Sequence, residues 1–259
     1  MIEVEHVTKR YGSALAVDDV SFRLGAGEVV GFLGPNGAGK STVLKMISTW
    51  LPPTSGSLRV AGFDVEREAL EARRELGYLP EHNALYDTMR VFDFLRFMGK
   101  ARGLFGPRLA ERLDWVVASC SLQDVLRQRV NQCSKGYRQR IGLAASLIHD
   151  PRVLLLDEPT HGLDPLQVVA FRDFIHELAP GRAILFSSHI LSEVAAICER
   201  ILVINRGRLL ADAKLDDLRA QAAERGIDLE RLVLEIVEER SGGREAALRG
   251  GARPGGGAA

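Results

Sequence analysis

The sequence has few cysteines, no surplus of charge of either sign and no long apolar run. Cys120, Cys133 and Cys198 are its three cysteines. Odd in number and widely spaced, they offer neither a metal-binding pattern nor a disulfide framework, and read as buried or partly buried thiols of a reducing compartment. Thirty-four basic residues face thirty-four acidic ones, so bulk charge does not mark a nucleic-acid binder. No stretch approaches the roughly 20 apolar residues that a membrane span needs. Met1-Ile2-Glu3-Val4-Glu5 is acidic and alternating, unlike a secretory signal. The expectation is a soluble protein whose dealings with any membrane pass through a partner. What the chain does have is apolar residues, 46% of 259, enough for the core of one large domain or two smaller lobes.

Against that background one stretch carries chemistry. Gly34-Pro35-Asn36-Gly37-Ala38-Gly39-Lys40-Ser41-Thr42 fits G-x-x-x-x-G-K-[ST], the phosphate-binding P-loop. Before it, Glu28 to Leu33 reads as a buried strand; after it, Thr42 to Ile47 reads as a helix. The glycines let backbone amides come close to a phosphate, and the positive end of the helix adds to the attraction. Lys40 supplies a point charge between β- and γ-phosphates, and the Ser41 hydroxyl can ligate Mg²⁺. The plain alternative is a glycine-rich turn with a chance lysine.

Along the chain, Ile2 to Val7 and Ala16 to Leu24 read as strands around the turn Tyr11-Gly12-Ser13. Leu51-Pro52-Pro53-Thr54-Ser55-Gly56 stops the first helix. Ser57 to Val60 and Leu76 to Leu79 are further strands, the second closed by Pro80 and Glu81. From about 87 to 148 the pattern is helical: Val91, Phe92, Leu95 and Met98 recur at helix spacing, as do Leu109, Leu113, Val116 and Val117. Another helix is expected over Arg140 to Ile148. Val153 to Leu156 is a strand buried on both faces, ending in Asp157-Glu158-Pro159. Gln167 to Leu178 reads as a helix, Ala183 to Phe186 as a strand and Ile190 to Cys198 as a helix. Ile201 to Ile204 and Arg208 to Leu210 form a hairpin. Residues 216–240 read as a helical extension, and 241–259, rich in Gly, Ala and Arg, as a disordered tail.

Ligands of open parallel sheets sit at the carboxyl ends of the strands, which is where Asp157 and Glu158 fall. Beside a P-loop, Asp157 can hold Mg²⁺ and Glu158 can polarise a water; alone, the two would be a solvated acidic pair. His189 follows a strand and could meet a γ-phosphate, or serve only structure. Tyr11 could stack on a base or simply pack. Asn131-Gln132-Cys133-Ser134-Lys135-Gly136-Tyr137-Arg138-Gln139-Arg140 contains a good N-cap, Ser134, and a glycine that lets an anion approach. It is either a plain cap or a second phosphate site. One nucleotide does not need two such sites from one chain, which hints at a nucleotide held by another subunit.

In this order the motifs resemble the ATPase subunit of ATP-binding cassette (ABC) transporters: Tyr11, Gly34 to Thr42, Gly77 to Glu81, Ser134 to Gly136, Leu154 to Pro159, Gly162-Leu163-Asp164 and His189. The resemblance covers about residues 1–215. It implies an α/β P-loop NTPase fold: a mixed-sheet RecA-like core, an N-terminal antiparallel β subdomain, and a helical subdomain over 87–148. It implies ATP and Mg²⁺ as cofactors. Tyr11 would stack on adenine, residues Gly34 to Thr42 would hold phosphates and Mg²⁺, Asp157 would be the Walker B carboxylate and Glu158 the base. Glu81 would occupy the Q-loop glutamine's place near the metal, Asp164 would couple subunits, and His189 would contact the γ-phosphate. Two chains would pack head to tail, with Ser134 and Gly136 completing the partner's site. Three positions depart from the family pattern: Cys133-Ser134-Lys135-Gly136-Tyr137 replaces Leu-Ser-Gly-Gly-Gln, Glu81 replaces glutamine, and His161 stands where a small or polar residue is usual.

Glu81 and the Ser-Lys-Gly-Tyr-Arg-Gln-Arg wording look like the ABC-2 exporter branch, with its gliding-motility and copper-processing relatives. That branch implies an ATPase at the cytoplasmic face of the inner membrane, paired with a separate integral-membrane permease and with a second copy or a paralogue, and no nucleic acid. Two other classes remain open. Non-transport ABC ATPases acting on ribosomes or DNA resemble tandem cassettes or carry long coiled-coil or zinc insertions, which this sequence lacks. A regulatory subunit with little turnover would not need Glu158 and His189.

Overall fold

A computed structural model describes residues 1–160 and 163–249, with the backbone alone at 165 and 240–249. His161 and Gly162, in the expected subunit-coupling stretch that ends at Asp164, lie outside the described residues, as do positions 250–259. Strands β1 (Ile2–Tyr11) and β2 (Ala14–Leu24) form an antiparallel hairpin, and β1 also pairs antiparallel with β4 (Ser55–Val60). With β5 (Phe63–Asp64) they make a four-stranded sheet in the order β2-β1-β4-β5. Ile2, Val4 and Val7 turn inward while Glu3 and Glu5 do not, the alternation of a sheet wet on one face.

The second sheet has six strands: β3 (Val29–Leu33), β6 (Leu76–Leu79), β7 (Val153–Asp157), β8 (Ala183–Ser188), β9 (Arg200–Asn205) and β10 (Arg208–Lys214), in the order β10-β9-β3-β8-β7-β6. All pairings are parallel except the β9–β10 hairpin. Every residue of β3, β7 and β8 is buried, because both faces are covered. Successive side chains go to opposite cores. Leu154, Leu156, Ile184 and Phe186 join a cluster containing Leu95, Val116 and Ile141; Val153, Leu155, Ala183 and Leu185 join one containing Val4, Phe22 and Leu44. The central sheet is thereby tied to a helical lobe on one side and to the small sheet on the other.

The helices are α1 (Lys40–Ile47), α2 (Ala69–Arg74), α3 (Val91–Ala101), α4 (Gly106–Ser119), α5 (Lys135–Leu147), α6 (Pro165–Leu178), α7 (Leu191–Ile197), α8 (Leu215–Glu224) and α9 (Leu229–Arg249). Helix α2 has no counterpart in the sequence reading, and α3, α5 and α9 differ from it. In α3 it is Phe94, not Phe92, that joins Val91 and Leu95 inside; Phe92 is exposed. Two aromatics one step either side of Asp93 both suit a helical stripe, and packing selects one. Helix α5 begins at Lys135 rather than Arg140, because the Ser134 hydroxyl caps it by accepting from the Tyr137 N–H at 3.3 Å. Its polar first turns show no apolar period to reveal them. The segment from 241, expected to be disordered, is helical in its backbone as far as Arg249: Arg244-Glu245-Ala246-Ala247-Leu248-Arg249 are good helix formers that carry α9 past Gly242-Gly243. Among the described residues, no helix is long and apolar enough to cross a membrane.

Candidate active site

The P-loop leaves β3 at Leu33 and turns between two walls of backbone. A Cβ at Gly34 would lie 2.3 Å from the Ile204 carbonyl oxygen, and one at Gly39 would lie 2.8 Å from that of Ala16. Gly39 also has φ 109°, closed to other residues. The loop is thus clamped between β9 and β2, where no side chain fits. Gly39 is the N-cap of α1, yet no side chain accepts from the first amides and no acidic residue stands in the first turn. Those amides are left for an external acceptor, and the dipole favours an anion. Lys40, 5% exposed, folds back over the loop. Its ammonium donates to the Gly34 carbonyl at 2.6 Å and the Pro35 carbonyl at 3.3 Å, and lies 3.4 Å from Glu158 Oε1.

Asp157 and Glu158 close the opposite side. Ser187, at the end of β8, organises both: its hydroxyl donates to Asp157 Oδ1 at 2.7 Å and accepts from the Glu158 N–H at 3.1 Å. Ser41 Oγ donates to the same Asp157 oxygen at 3.3 Å. Burial pushes the Asp157 carboxyl above its usual range, helped by the charges of Glu81 and Glu158 and opposed by the two hydroxyls. Glu158 has φ 50°, a strained backbone for a non-glycine residue and of the kind that gathers at functional sites. Its Oε2 faces His189 Nδ1 at 2.9 Å, while its buried Oε1 has no hydrogen-bond partner. A carboxylate accepts only, so His189 must carry its proton on Nδ1.

Ser41 and Asp157 present hard oxygen donors of the type Mg²⁺ prefers. A dication there would supply the positive charge that the buried Asp157 lacks, since the nearby lysine is engaged with Glu158. The residues present therefore fit the ion. Among the described residues, no group of three or more His, Cys, Asp or Glu forms an all-protein metal cluster. Glu81, half-exposed on the loop after β6, borders a cavity of about 560 Å³ shared with Ser41, Tyr78 and Asp157.

Residues 17–161 match the ABC transporter family. The chain belongs to that family. It is 40% identical over 216 residues to ABC transporter ATP-binding protein NatA of Bacillus subtilis (strain 168), a match covering 83% of this chain and 87% of that one. It is 39% identical over 229 residues to daunorubicin resistance ATP-binding protein DrrA3 of Streptomyces coeruleorubidus, covering 88% and 72%. The match to YbhF of Escherichia coli (strain K12), a probable multidrug ABC transporter ATP-binding protein, is 38% identical over 224 residues and covers 86% of this chain but 39% of that one. The chain thus spans well under half the length of YbhF. Among solved structures, an ATP-binding subunit of an ABC transporter superposes with a TM-score of 0.83 at 32% identity, over 92% of this chain and 99% of that one. A dimeric ATP-binding cassette bound to ADP and Pi, 23% identical, shares the fold with a TM-score of 0.76 over 83% and 99%.

In this ABC cassette the other sequence-derived positions are scattered. Tyr11 is the last residue of β1, not a turn residue; it is 49% exposed, with the Lys9 ammonium 5.6 Å from its ring centroid. Ser134 is exposed at the N-terminus of α5, and Gly136 sits one turn in, against the Gln167 side chain. Among the described residues, no hydrogen bond or ion pair joins either to the P-loop. Asp164 caps α6, accepting from the Gln167 N–H at 2.9 Å, while the Gln167 side chain accepts from the Asp164 N–H at 3.4 Å. Sequence reading assigned no role to Ser187, or to Glu193, whose carboxylate accepts from Thr160 at 2.6 Å and Ser188 at 3.0 Å and so braces the loop beyond Pro159. Two hydroxyls closing an otherwise apolar strand were the signal for Ser187; Glu193 gave none.

Proposed function

We propose that this chain binds and hydrolyses ATP as one of two cassettes packed head to tail, and that this cycle drives an ABC-2-type membrane exporter. The observation that carries the reading is the Glu158 carboxylate at the mouth of the P-loop, oriented through one oxygen by His189, while its other oxygen makes no hydrogen bond and faces the Lys40 ammonium at 3.4 Å. Once the lysine leaves it, a buried acceptor without a hydrogen bond is costly, and a water is the partner it suits. When a triphosphate occupies the loop, the Lys40 ammonium has a stronger acceptor than the carbonyls and Glu158, and moves to the β- and γ-phosphates. Glu158 is then free to accept a proton from the attacking water. Mg²⁺, held by Ser41 and Asp157 with Glu81 nearby, would neutralise charge on the phosphate oxygens when bound. His189 cannot give the same Nδ1 proton to Glu158 and a second proton to the γ-phosphate while its ring is neutral. Contact with the γ-phosphate therefore asks for a second proton or a turned ring.

The uncapped amides of α1, with Gly34, Pro35, Asn36, Gly37, Ala38, Gly39 and Thr42 around them, complete the phosphate cradle. Tyr11, half open, is available to a base. The exposed start of α5 supports the pairing: Ser134 and Gly136 have no phosphate to serve in their own chain and would serve the partner's, with Asp164 beside the contact. The partner is a second copy or a paralogue. The multidrug and daunorubicin-resistance names of relatives support an export role. With that role goes a peripheral position on the cytoplasmic face of the inner membrane beside a separate permease. The half-exposed pair of Tyr86 and Phe97 on the helical lobe, ring centroids 5.5 Å apart, is the surface offered to that permease. The test is Glu158→Gln: hydrolysis should vanish with ATP binding kept, and unchanged hydrolysis would remove the assigned base. Copurification with a membrane protein, rather than with ribosomes or DNA, decides the transport role.

A further inference from the structure

The side-chain amide of Gln139, on the second turn of α5, bridges two loops that the sequence keeps far apart. Its Nε2 donates to the Pro159 carbonyl at 3.2 Å, and its Oε1 accepts from Asn83 Nδ2 at 3.2 Å. A carbonyl can only accept, so Gln139 must turn its NH₂ toward Pro159. Its oxygen is then fixed toward Asn83, which must present its own NH₂. One backbone carbonyl thus sets the direction of the whole line.

Each end of the line reaches the site. Asn83 stands two residues after Glu81, in the loop leaving β6. Pro159 directly follows Glu158, whose backbone is held at φ 50°. Proline has no N–H to give, so its carbonyl is the handle by which that turn can be fixed from outside. Helix α5 is shaped to receive Asn83: a Cβ at Gly142 would come 2.5 Å from Asn83 Nδ2 and 2.7 Å from its Cγ. The Asn83 amide therefore lies on bare helix backbone one turn beyond Gln139. A second tie from the same loop, the Asp87–Arg138 ion pair at 2.7 Å, stands beside the first.

We infer that Gln139 is a positioning residue. The Asn83–Gln139–Pro159 line holds the turn carrying Glu158 in register with α5 and with the Glu81 loop. A shift of the helix that bears Ser134 is therefore felt at the base. This rests on the reading of Glu158 as the base of ATP hydrolysis.

The test is steady-state hydrolysis by the full chain, with ATP binding and thermal unfolding measured alongside. Gln139→Leu removes both bonds. Gln139→Glu keeps the acceptor for Asn83 but, ionised, has no hydrogen for Pro159. Both should lower kcat about tenfold, the effect of one well-placed hydrogen bond, with the KM for ATP within about twofold and the melting temperature unchanged. Gly142→Ala is the sharper variant. It adds helix propensity and touches neither Gln139 nor the site, yet it displaces Asn83. It should cut kcat by about the same factor as Asn83→Ala, roughly threefold, without loss of stability, and the two together should do no more than either alone. Native kcat in Gln139→Leu, a fall in kcat that tracks a fall in melting temperature, or multiplying effects of Gly142→Ala and Asn83→Ala would each overturn the inference. Such a failure with Glu158→Gln inactive leaves the proposed hydrolysis standing. A Glu158→Gln chain that turns over at the native rate would remove both.

Discussion

Lys40, Asp157 and Glu158 are 5%, 2% and 7% exposed; Lys40 is ion-paired with Glu158, Ser187 joins Glu158 to Asp157, and Ser41 and His189 bond the two carboxylates. Ser134 lies open to solvent, its hydroxyl used only to start a helix. Both regions present helix N-termini of the kind that bind phosphate. The first is pre-organised by two sheets: its glycines fit under β2 and β9, its lysine is folded in, and its carboxylates are aimed by a serine on the neighbouring strand. The second is shaped, but among the described residues no hydrogen bond or ion pair joins Ser134 or Gly136 to the P-loop. A buried, mutually hydrogen-bonded cluster costs free energy to form and is retained where it is used. An exposed helix start costs almost nothing, and in the proposed dimer it would serve a partner's nucleotide. The difference teaches which half of a nucleotide cage one chain can finish by itself.

The largest expected break of this comparison comes from the finished half. Glu158→Gln should lower kcat for ATP by a factor of about 10³, within the range for loss of a general base, with ATP still bound at equilibrium. Next comes the waiting half. Gly136→Ala has room within its own chain, since the added methyl would stand 3.4 Å from Gln167 Oε1, an ordinary contact. It should therefore fold as well as the native chain and bind ATP as well at low protein concentration. Its hydrolysis should nonetheless fall by about 10–100-fold, as when a donor facing developing charge is lost. Equal loss of ATP binding and hydrolysis in that variant would place Gly136 in its own chain's site and end the contrast.

A smaller effect sharpens the finished half. Ser187→Ala leaves the buried Asp157 with one hydroxyl fewer and should raise the Mg²⁺ concentration for half-maximal hydrolysis by about tenfold, the usual scale for a residue that orients a metal ligand. The smallest concerns Asp164. If its work is to cap α6, Asp164→Ala should cost about 1 kcal/mol of stability and little kcat. A loss of hydrolysis without loss of stability would instead move Asp164 to the subunit contact.

Much of this was legible from the residues. The strands under the P-loop and before Asp157 are runs of buried aliphatics, and such runs show regardless of partners. The P-loop needs glycines and a lysine at fixed offsets, so it too declares itself. Less visible was anything whose signal is polar. The first turns of α5, Lys135 to Arg140, carry no apolar period, and only the hydroxyl of Ser134 betrays where the helix begins. Phe92 and Phe94 are equivalent in sequence, and the position of α4 and α5 alone decides that Phe94 goes in. The helical backbone from 241 to 249 follows from Ala, Glu and Arg after a glycine pair, a weak preference that composition masked.

The sequence by itself determined that a strand, a glycine loop and a helix would present amides and an ammonium to a phosphate, because those need only local spacing along one stretch of chain. It also determined that two carboxylates would emerge where a buried strand meets solvent. Only the tertiary structure decided that β8 lies between β3 and β7, and so brings Ser187 and His189 onto those carboxylates. It likewise left one oxygen of Glu158 without a hydrogen bond, facing Lys40, and linked Pro159 to Asn83 through Gln139. Hydrogen bonds act over about 3 Å, and the residues that make these ones are separated by 20 to 56 positions of chain. Strand order alone puts them within reach.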